Sequence, residues 1–152
     1  MKIDEMVLKI KEHEGFRKNV YIDPLQRGRF TKEQLAWFEA NRDAMNLTIG
    51  YGTLMEDIND EMAEMMLKYK LEQKITEVNK EFKYLGTHKE NVWDCLYLMG
   101  YQLGTDGIKK FKKMLIAISK NDYKTAYAEA MDSLWARQTP KRAKETAGLL
   151  LA

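Results

Sequence analysis

Residues 89–103, KENVWDCLYLMGYQL, are apolar on nearly every face once past Asp94. A helix of that kind cannot lie on a surface and has to be enclosed by other elements on all sides. The remaining chain must supply its surroundings, and most of it has helical periodicity. Ile3, Met6, Val7 and Ile10 fall at i, i+3, i+4, i+7, which predicts an amphipathic helix over 3–13, stopped by Gly15. Asn59 is a good N-cap for a long helix to about Phe82, with Met62, Met66, Tyr69, Ile75, Val78 and Phe82 near one side. Asn121 or Asp122 opens a further helix, whose apolar stripe is Tyr123, Ala126, Tyr127, Ala130, Met131 and Leu134. Thr139-Pro140 is a helix start, with Thr as N-cap and Pro at the first helical position.

The stretch between the first two helices is different. Val20, Tyr21 and Ile22 favour strand and are halted by Pro24, and LTIGYG (47–52) is strand-like again. Between them, Thr31-Lys-Glu-Gln34 resembles a capping box opening a helix over 32–45. Leu35, Trp37, Phe38, Ala40 and Met45 give that helix an apolar side that should pack as one wall of its region. Burial of Trp37 or Phe38 would contribute roughly 1.5–3 kcal/mol each. The fold class expected is α+β, mostly α, with a small N-terminal β element.

A chain of 152 residues is one ordinary domain, long enough to bury a real core. Its 45% hydrophobic and 32% charged shares suit a soluble globular protein, and no run approaches the ~18 apolar residues of a membrane span. The opening MKIDEMVLKIKEHEG is broken by charge and holds no apolar signal core, so export by that route is not expected. A single cysteine, Cys95, excludes an intramolecular disulfide and fits a reducing compartment. Net charge is only +2, but segment 105–125 sets six lysines (109, 110, 112, 113, 120, 124) against Asp106 and Asp122, an excess of +4. Arg137, Lys141, Arg142 and Lys144 follow, with Glu145 the nearby acid. Such a half suits an anionic polymer, cell wall or nucleic acid, and is equally readable as a solvated helix face.

Several chemistries are excluded. His13 and His88 are too few and too far apart for a metal site, and His13-Glu14 belongs to no HExxH pattern. No phosphate-cradling glycine loop and no GxSxG elbow occurs. Carboxylate chemistry remains. Glu14 ends the first helix and Asp23 ends the strand-like segment after it, so a returning chain could place both at one cleft. Two unlike carboxyl groups flanking a bond are the minimum for glycoside hydrolysis. Glu14 lies at the negative end of its helix macrodipole, which disfavours its ionised form and suits a general acid. Spacing alone favours a plainer account, surface carboxylates in a chain with 23 acids.

Four blocks of sequence add to this. HEGFR (13–17), YID (21–23) and TIGYG (48–52) resemble the start of the T-even phage lysozyme family, whose pattern is Glu-Gly-Leu-Arg, Tyr-x-Asp, Thr-Ile-Gly-x-Gly-His. INDEMAEMML (58–67) is similar to the start of that family's long interlobe helix, and YQLGTDGIKKF (101–111) to the turn after its buried helix. SLWARQTPKRAK (133–144) matches its Trp-x-x-Gln-Thr-Pro-x-Arg-Ala signature. The resemblance implies a two-lobed fold: a small β-containing lobe over 14–58 carrying the inserted helix 32–45, an interlobe helix over 59–80, and a helical lobe over 81–152 joined by helix 3–13.

It also implies roles. Glu14 matches the family's general acid, Asp23 the carboxylate that helps activate water, and Thr48 the threonine that helps hold it. Direct attack by water implies inversion at the anomeric carbon. Arg142 matches an arginine that pairs with the catalytic glutamate, and its cation would oppose the helix-end effect on Glu14. Tyr101, Gln102, Trp135 and Thr139 match positions lining the cleft. Trp135 is equally readable as core packing, and Thr139 as a cap.

The activity so implied is a peptidoglycan muramidase, an endolysin cutting between N-acetylmuramic acid and N-acetylglucosamine, with no metal or cofactor. Peptidoglycan is the expected partner, with no nucleic acid and no stable membrane insertion. The expected protein is a monomer, held in the host cytoplasm until holin-assisted release and then acting on the periplasmic wall. Alternatives are a lytic transglycosylase using Glu14 alone and a non-catalytic basic module binding wall or nucleic acid.

Two departures from the family pattern stand out. Twenty-four residues separate Asp23 from Thr48, where the family has a tight hairpin, and only Thr53 to Asp57 join the TIGYG strand to the long helix. The family's His after the second glycine is Thr53 here. These changes bear on Thr48 and the cleft wall, and leave Glu14 untouched.

Overall fold

The computed structural model describes residues 1–14, 28–41, 48–49, 53–54 and 58–152, with the strand residues described by backbone alone. In chain order the elements are α1 (Ile3–Glu14), α2 (Lys32–Asn41), β1 (Thr48–Ile49), β2 (Thr53–Leu54), α3 (Asp60–Glu81), α4 (Glu90–Lys109), α5 (Lys112–Ser119), α6 (Tyr123–Met131), α7 (Leu134–Gln138) and α8 (Pro140–Gly148). Short 3-10 turns lie at Lys83–Leu85 and Leu149–Leu151.

The expected α+β class with a small N-terminal β lobe is overturned: the fold is mostly helical. Among the described residues, β structure is one antiparallel pairing, Thr48 with Leu54 and Ile49 with Thr53. Two residues per strand offer no apolar face to pack against, and an isolated two-stranded ribbon is marginal by itself. The strand-like segment 16–23 lies outside the described residues.

The chain falls into two units, Met1–His13 with Met66–Ala152, and Glu14–Met65. In the second, α2 opens on a reciprocal capping box. The Gln34 backbone N–H donates to Thr31 Oγ1 at 3.2 Å, and the Thr31 N–H donates to Gln34 Oε1 at 2.8 Å. The helix ends at Asn41, short of the expected residue 45; residues 42–47 lie outside the described set. It has no buried residue, and Trp37 is 61% exposed, so the anchoring expected of that side chain is absent. Its apolar residues are scattered around the helix, leaving Leu35 and Phe38 half-buried.

In the larger unit α4 is enclosed as its composition demands: no residue from Asn91 to Thr105 is exposed. Around it pack Val78 of α3 and Phe82 just beyond its end, Met114 and Ile118 of α5, Ala126 and Ala130 of α6, and Ala143 and Ala147 of α8. Small residues on α6 and α8 let those helices approach closely. Gly100 does the same on α4: a Cβ there would stand 2.7 Å from Val78 Cγ2. Cys95 is fully buried, and burial pushes its thiol up to about 12, so it stays protonated. A second cluster joins Met6, Val7 and Ile10 of α1 to Leu71 of α3 and Leu98 of α4.

The long helix has its expected N-cap, Asn59 Oδ1 accepting from the Met62 N–H at 2.9 Å. Its buried face differs from the expected stripe. Leu71, Val78 and Phe82 are buried, with Leu67 and Ile75 packed beside Leu71, whereas Met62, Met66 and Tyr69 are exposed. Two apolar rows run along this helix, and α1 selects the Leu67–Leu71–Ile75 row. Asp122 caps α6, accepting from the Thr125 N–H at 3.1 Å. Leu134 leaves the α6 stripe to begin α7 and is 61% exposed.

Candidate functional site

Helix α4 merges two helices across a kink at Gly104, whose φ of 70° and ψ of 169° only glycine adopts readily. Tyr101 and Gln102 occupy the last turn before this kink. Both are half-buried. The Lys70 ammonium lies 5.3 Å from the centre of the Tyr101 ring, within range of a cation–π contact.

Trp135, on α7, is 6% exposed. Its indole N–H donates to Gln102 Oε1 at 2.8 Å, and its ring meets Phe111 edge-on at 5.9 Å between centroids. Core packing and a place beside Gln102 are therefore both true of Trp135. Thr139 stands at the N-cap position of α8, but its side chain makes no capping bond. Its hydroxyl donates instead to the Trp135 carbonyl at 3.1 Å. Pro140 begins α8 as expected, because a first-turn N–H needs no intrahelical partner.

Arg142, half-buried on α8, shares a small pocket with Tyr101 and Gln102 of α4 and with His13 of α1. Tyr101, Gln102 and Arg142 are thus brought together directly, Trp135 joins through Gln102, and Thr139 through Trp135. Glu14 is the last residue of α1 and is exposed, directly after His13 in the chain. Thr48 begins β1, its side chain outside the description, and Asp23 lies outside the described residues altogether.

Two features escaped the residue-by-residue reading. His13 was weighed only as a metal ligand, yet its Nε2 lies 3.1 Å from Glu145 Oε2. The hint was that Glu145 is the acid following four basic residues of 137–144. The second is a groove of about 740 Å³ beside Trp135, lined by Phe111 and Leu134, by Lys110, Lys112 and Lys113, and by Glu129 and Asp132. The lysine excess of segment 105–125 was legible; its convergence with aromatic rings needed α5 and α7 to be placed. Among the described residues no group of three or more His, Cys, Asp and Glu could hold a metal, and no helix is long and apolar enough to cross a membrane.

Comparison with known proteins bears on what these groups do. A segment of 53 residues, 35% of this chain, is 40% identical to the pre-baseplate central spike protein Gp5 of Enterobacteria phage T4; the match covers 9% of that protein's length. The phage lysozyme family model matches residues 11–151, which include Glu14, Tyr101, Gln102, Trp135, Thr139 and Arg142. A match over nearly the whole chain supports a lysozyme-like, peptidoglycan-degrading function, and the chain belongs to the phage lysozyme family.

Proposed function

We propose that this chain is a muramidase that hydrolyses the bond between N-acetylmuramic acid and N-acetylglucosamine in peptidoglycan. The observation carrying the reading is the extent of the family match, from before Glu14 to beyond Arg142. The packing of Tyr101, Gln102 and Arg142 around one pocket supports it. Glu14 protonates the glycosidic oxygen, Asp23 helps activate a water, and Thr48 helps hold that water. Water attacks directly, so the anomeric configuration inverts. Arg142 offers a cation at the pocket lined by Tyr101 and Gln102. Carboxylate chemistry of this kind needs no metal or cofactor.

Substrate is held mainly by the helical residues. Tyr101 and Gln102 offer a ring and an amide for sugar faces and hydroxyls. The groove beside Trp135 offers apolar walls with three lysines and two acids, Glu129 and Asp132, able to meet the sugar and peptide groups of a wall strand. We read residues 1–152 as one lysozyme domain acting as a monomeric endolysin, with holin-assisted passage from host cytoplasm to the periplasmic wall. Product analysis tests the chemistry. Proton NMR of freshly cut glycan should show the inverted anomer first, and mass spectrometry should show hydrated reducing ends. Anhydro-muramic ends would assign a transglycosylase instead, and the retained anomer would contradict direct water attack.

A further inference from the structure

Among the described residues, ion pairs tie the last turn of α1 to the first turns of α8. Lys141 Nζ lies 3.1 Å from Glu12 Oε1, and both side chains are largely exposed. An exposed pair of this kind is screened by solvent and salt and contributes little. His13 Nε2 lies 3.1 Å from Glu145 Oε2, and here only 12% of the imidazole side chain is exposed. With the Glu145 side chain 36% exposed, this pair is the less solvent-screened of the two and the better placed to hold a register.

Its place in the fold gives that register meaning. His13 precedes Glu14 in α1, and Glu145 stands three residues beyond Arg142 on α8, so the two α8 side chains share a face. His13, Arg142 and Glu145 line the same pocket as Tyr101 and Gln102. A misplacement of about 1 Å at a catalytic group can cost roughly 10²-fold in rate, so whatever fixes α8 against the end of α1 matters to chemistry there.

We infer that His13 and Glu145 form a positioning pair that sets Arg142 against the last turn of α1, most strongly when the imidazole is protonated. The inference rests on the roles proposed above for Glu14 and Arg142. Neither member of the pair is itself catalytic. Protonation matters because a charge-assisted bond is about twice as strong as a neutral one. Histidine is the side chain that ordinarily changes charge between about pH 5 and 8. The groups around the ring pull both ways. Glu145 and Arg142 from α8 and Lys9 from α1 share its pocket, and Glu12 precedes it in the chain. The α4 side chains lining that pocket are Leu98, Tyr101 and Gln102, all uncharged.

The test compares wild type with His13→Gln, Glu145→Gln and His13→Lys, the last carrying a cation that does not titrate near neutrality. Wall-fragment release and the Arg142 Nε–H NMR resonance are followed from about pH 6 to pH 8, the range in which histidine ordinarily loses its charge. Both Gln variants should lower kcat about fivefold or more at pH 6 with KM little changed, the size of effect expected from a small loss of alignment. Wild-type activity and the Arg142 resonance should both drift toward the Gln variants as pH rises, while His13→Lys stays level. Gln variants with kcat within twofold of wild type and an unmoved Arg142 resonance would overturn the inference. Should the Gln variants fail to fold, a His13→Lys profile that falls with pH like wild type overturns it as well. An inactive wild type whose Arg142 resonance still follows the pair would uphold the positioning and sink the muramidase reading; an active one whose resonance ignores the pair would do the reverse.

Discussion

The Trp135 indole N–H donates to Gln102 Oε1 at 2.8 Å, joining α7 to the end of α4 across 33 residues of chain. One bond therefore links a core aromatic to an amide in the candidate cleft. Trp135→Phe would leave a half-buried acceptor without its donor and open space beside Phe111. Together the lost bond and the cavity should cost about 2–4 kcal/mol. Denaturant titration should show a lower midpoint at unchanged slope, and an unchanged midpoint would mean the bond contributes nothing.

Gly104 offers a cleaner test of backbone strain. A Cβ added there meets nothing within 4 Å, yet φ is 70° and ψ is 169°. Gly104→Ala should therefore lose about 1–3 kcal/mol from conformation alone. Gly104→Asn tolerates positive φ better in turns, but this ψ lies outside the left-handed helical well, so it should rescue little. A thermal melt of both variants decides this, and full stability of either would remove the strain argument.

How much of this was legible in the sequence depends on how many partners each pattern had to choose among. The 89–103 helix could only be enclosed, and it is. The Asn59 and Thr31–Gln34 caps rest on bonds within three residues and were readable directly. On α3, two apolar rows competed, and the choice of Leu71 over Tyr69 was made by α1, which local periodicity cannot register. LTIGYG suggested a β lobe, but β-favouring residues mark a pleated, half-buried surface only when a sheet exists to receive them; Val20-Tyr-Ile lies outside the described residues. Around Thr48 the ladder is two residues long. At the candidate site, family blocks located Tyr101, Gln102, Trp135 and Arg142, but the His13–Glu145 pair joins positions 132 residues apart (145 − 13) and needed the fold.

Helix α2 leads to a prediction opposite to that drawn from its composition. Trp37 is 61% exposed and α2 buries no residue. Trp37→Ser should therefore change stability by no more than about 0.5 kcal/mol, as is usual for surface positions. Calorimetry checks this; a loss of several degrees in Tm would show the indole to be an anchor.

The amino terminus gives a pH dependence. The Met1 ammonium lies 2.8 Å from Asp94 Oδ2 and 2.6 Å from Glu90 Oε1. The bond to Asp94, then that to Glu90, raises the amine above its ordinary 8.0. A raised amine stabilises the fold fully below pH 8.0, and this contribution is lost as pH rises through the folded-state value. Burial also raises the Asp94 carboxyl above 3.8, which makes its ionisation costly and the amine its natural partner. Asp94→Asn should flatten the decline of Tm above pH 8 seen for wild type. Parallel curves for the two proteins would show that the pair carries no such linkage.

In the proposed reaction Glu14 delivers a proton to a glycosidic oxygen of peptidoglycan. Release of new reducing ends from purified peptidoglycan, measured for wild type beside Glu14→Gln at equal folded concentration, tests it most directly. General acid help is typically worth ~10²–10⁴ in rate, so the amide variant should lose at least about a hundredfold. Glu14 is exposed at the end of α1, so its Tm should be unchanged or slightly higher. A Glu14→Gln protein that still releases reducing ends within tenfold of wild type would contradict the account.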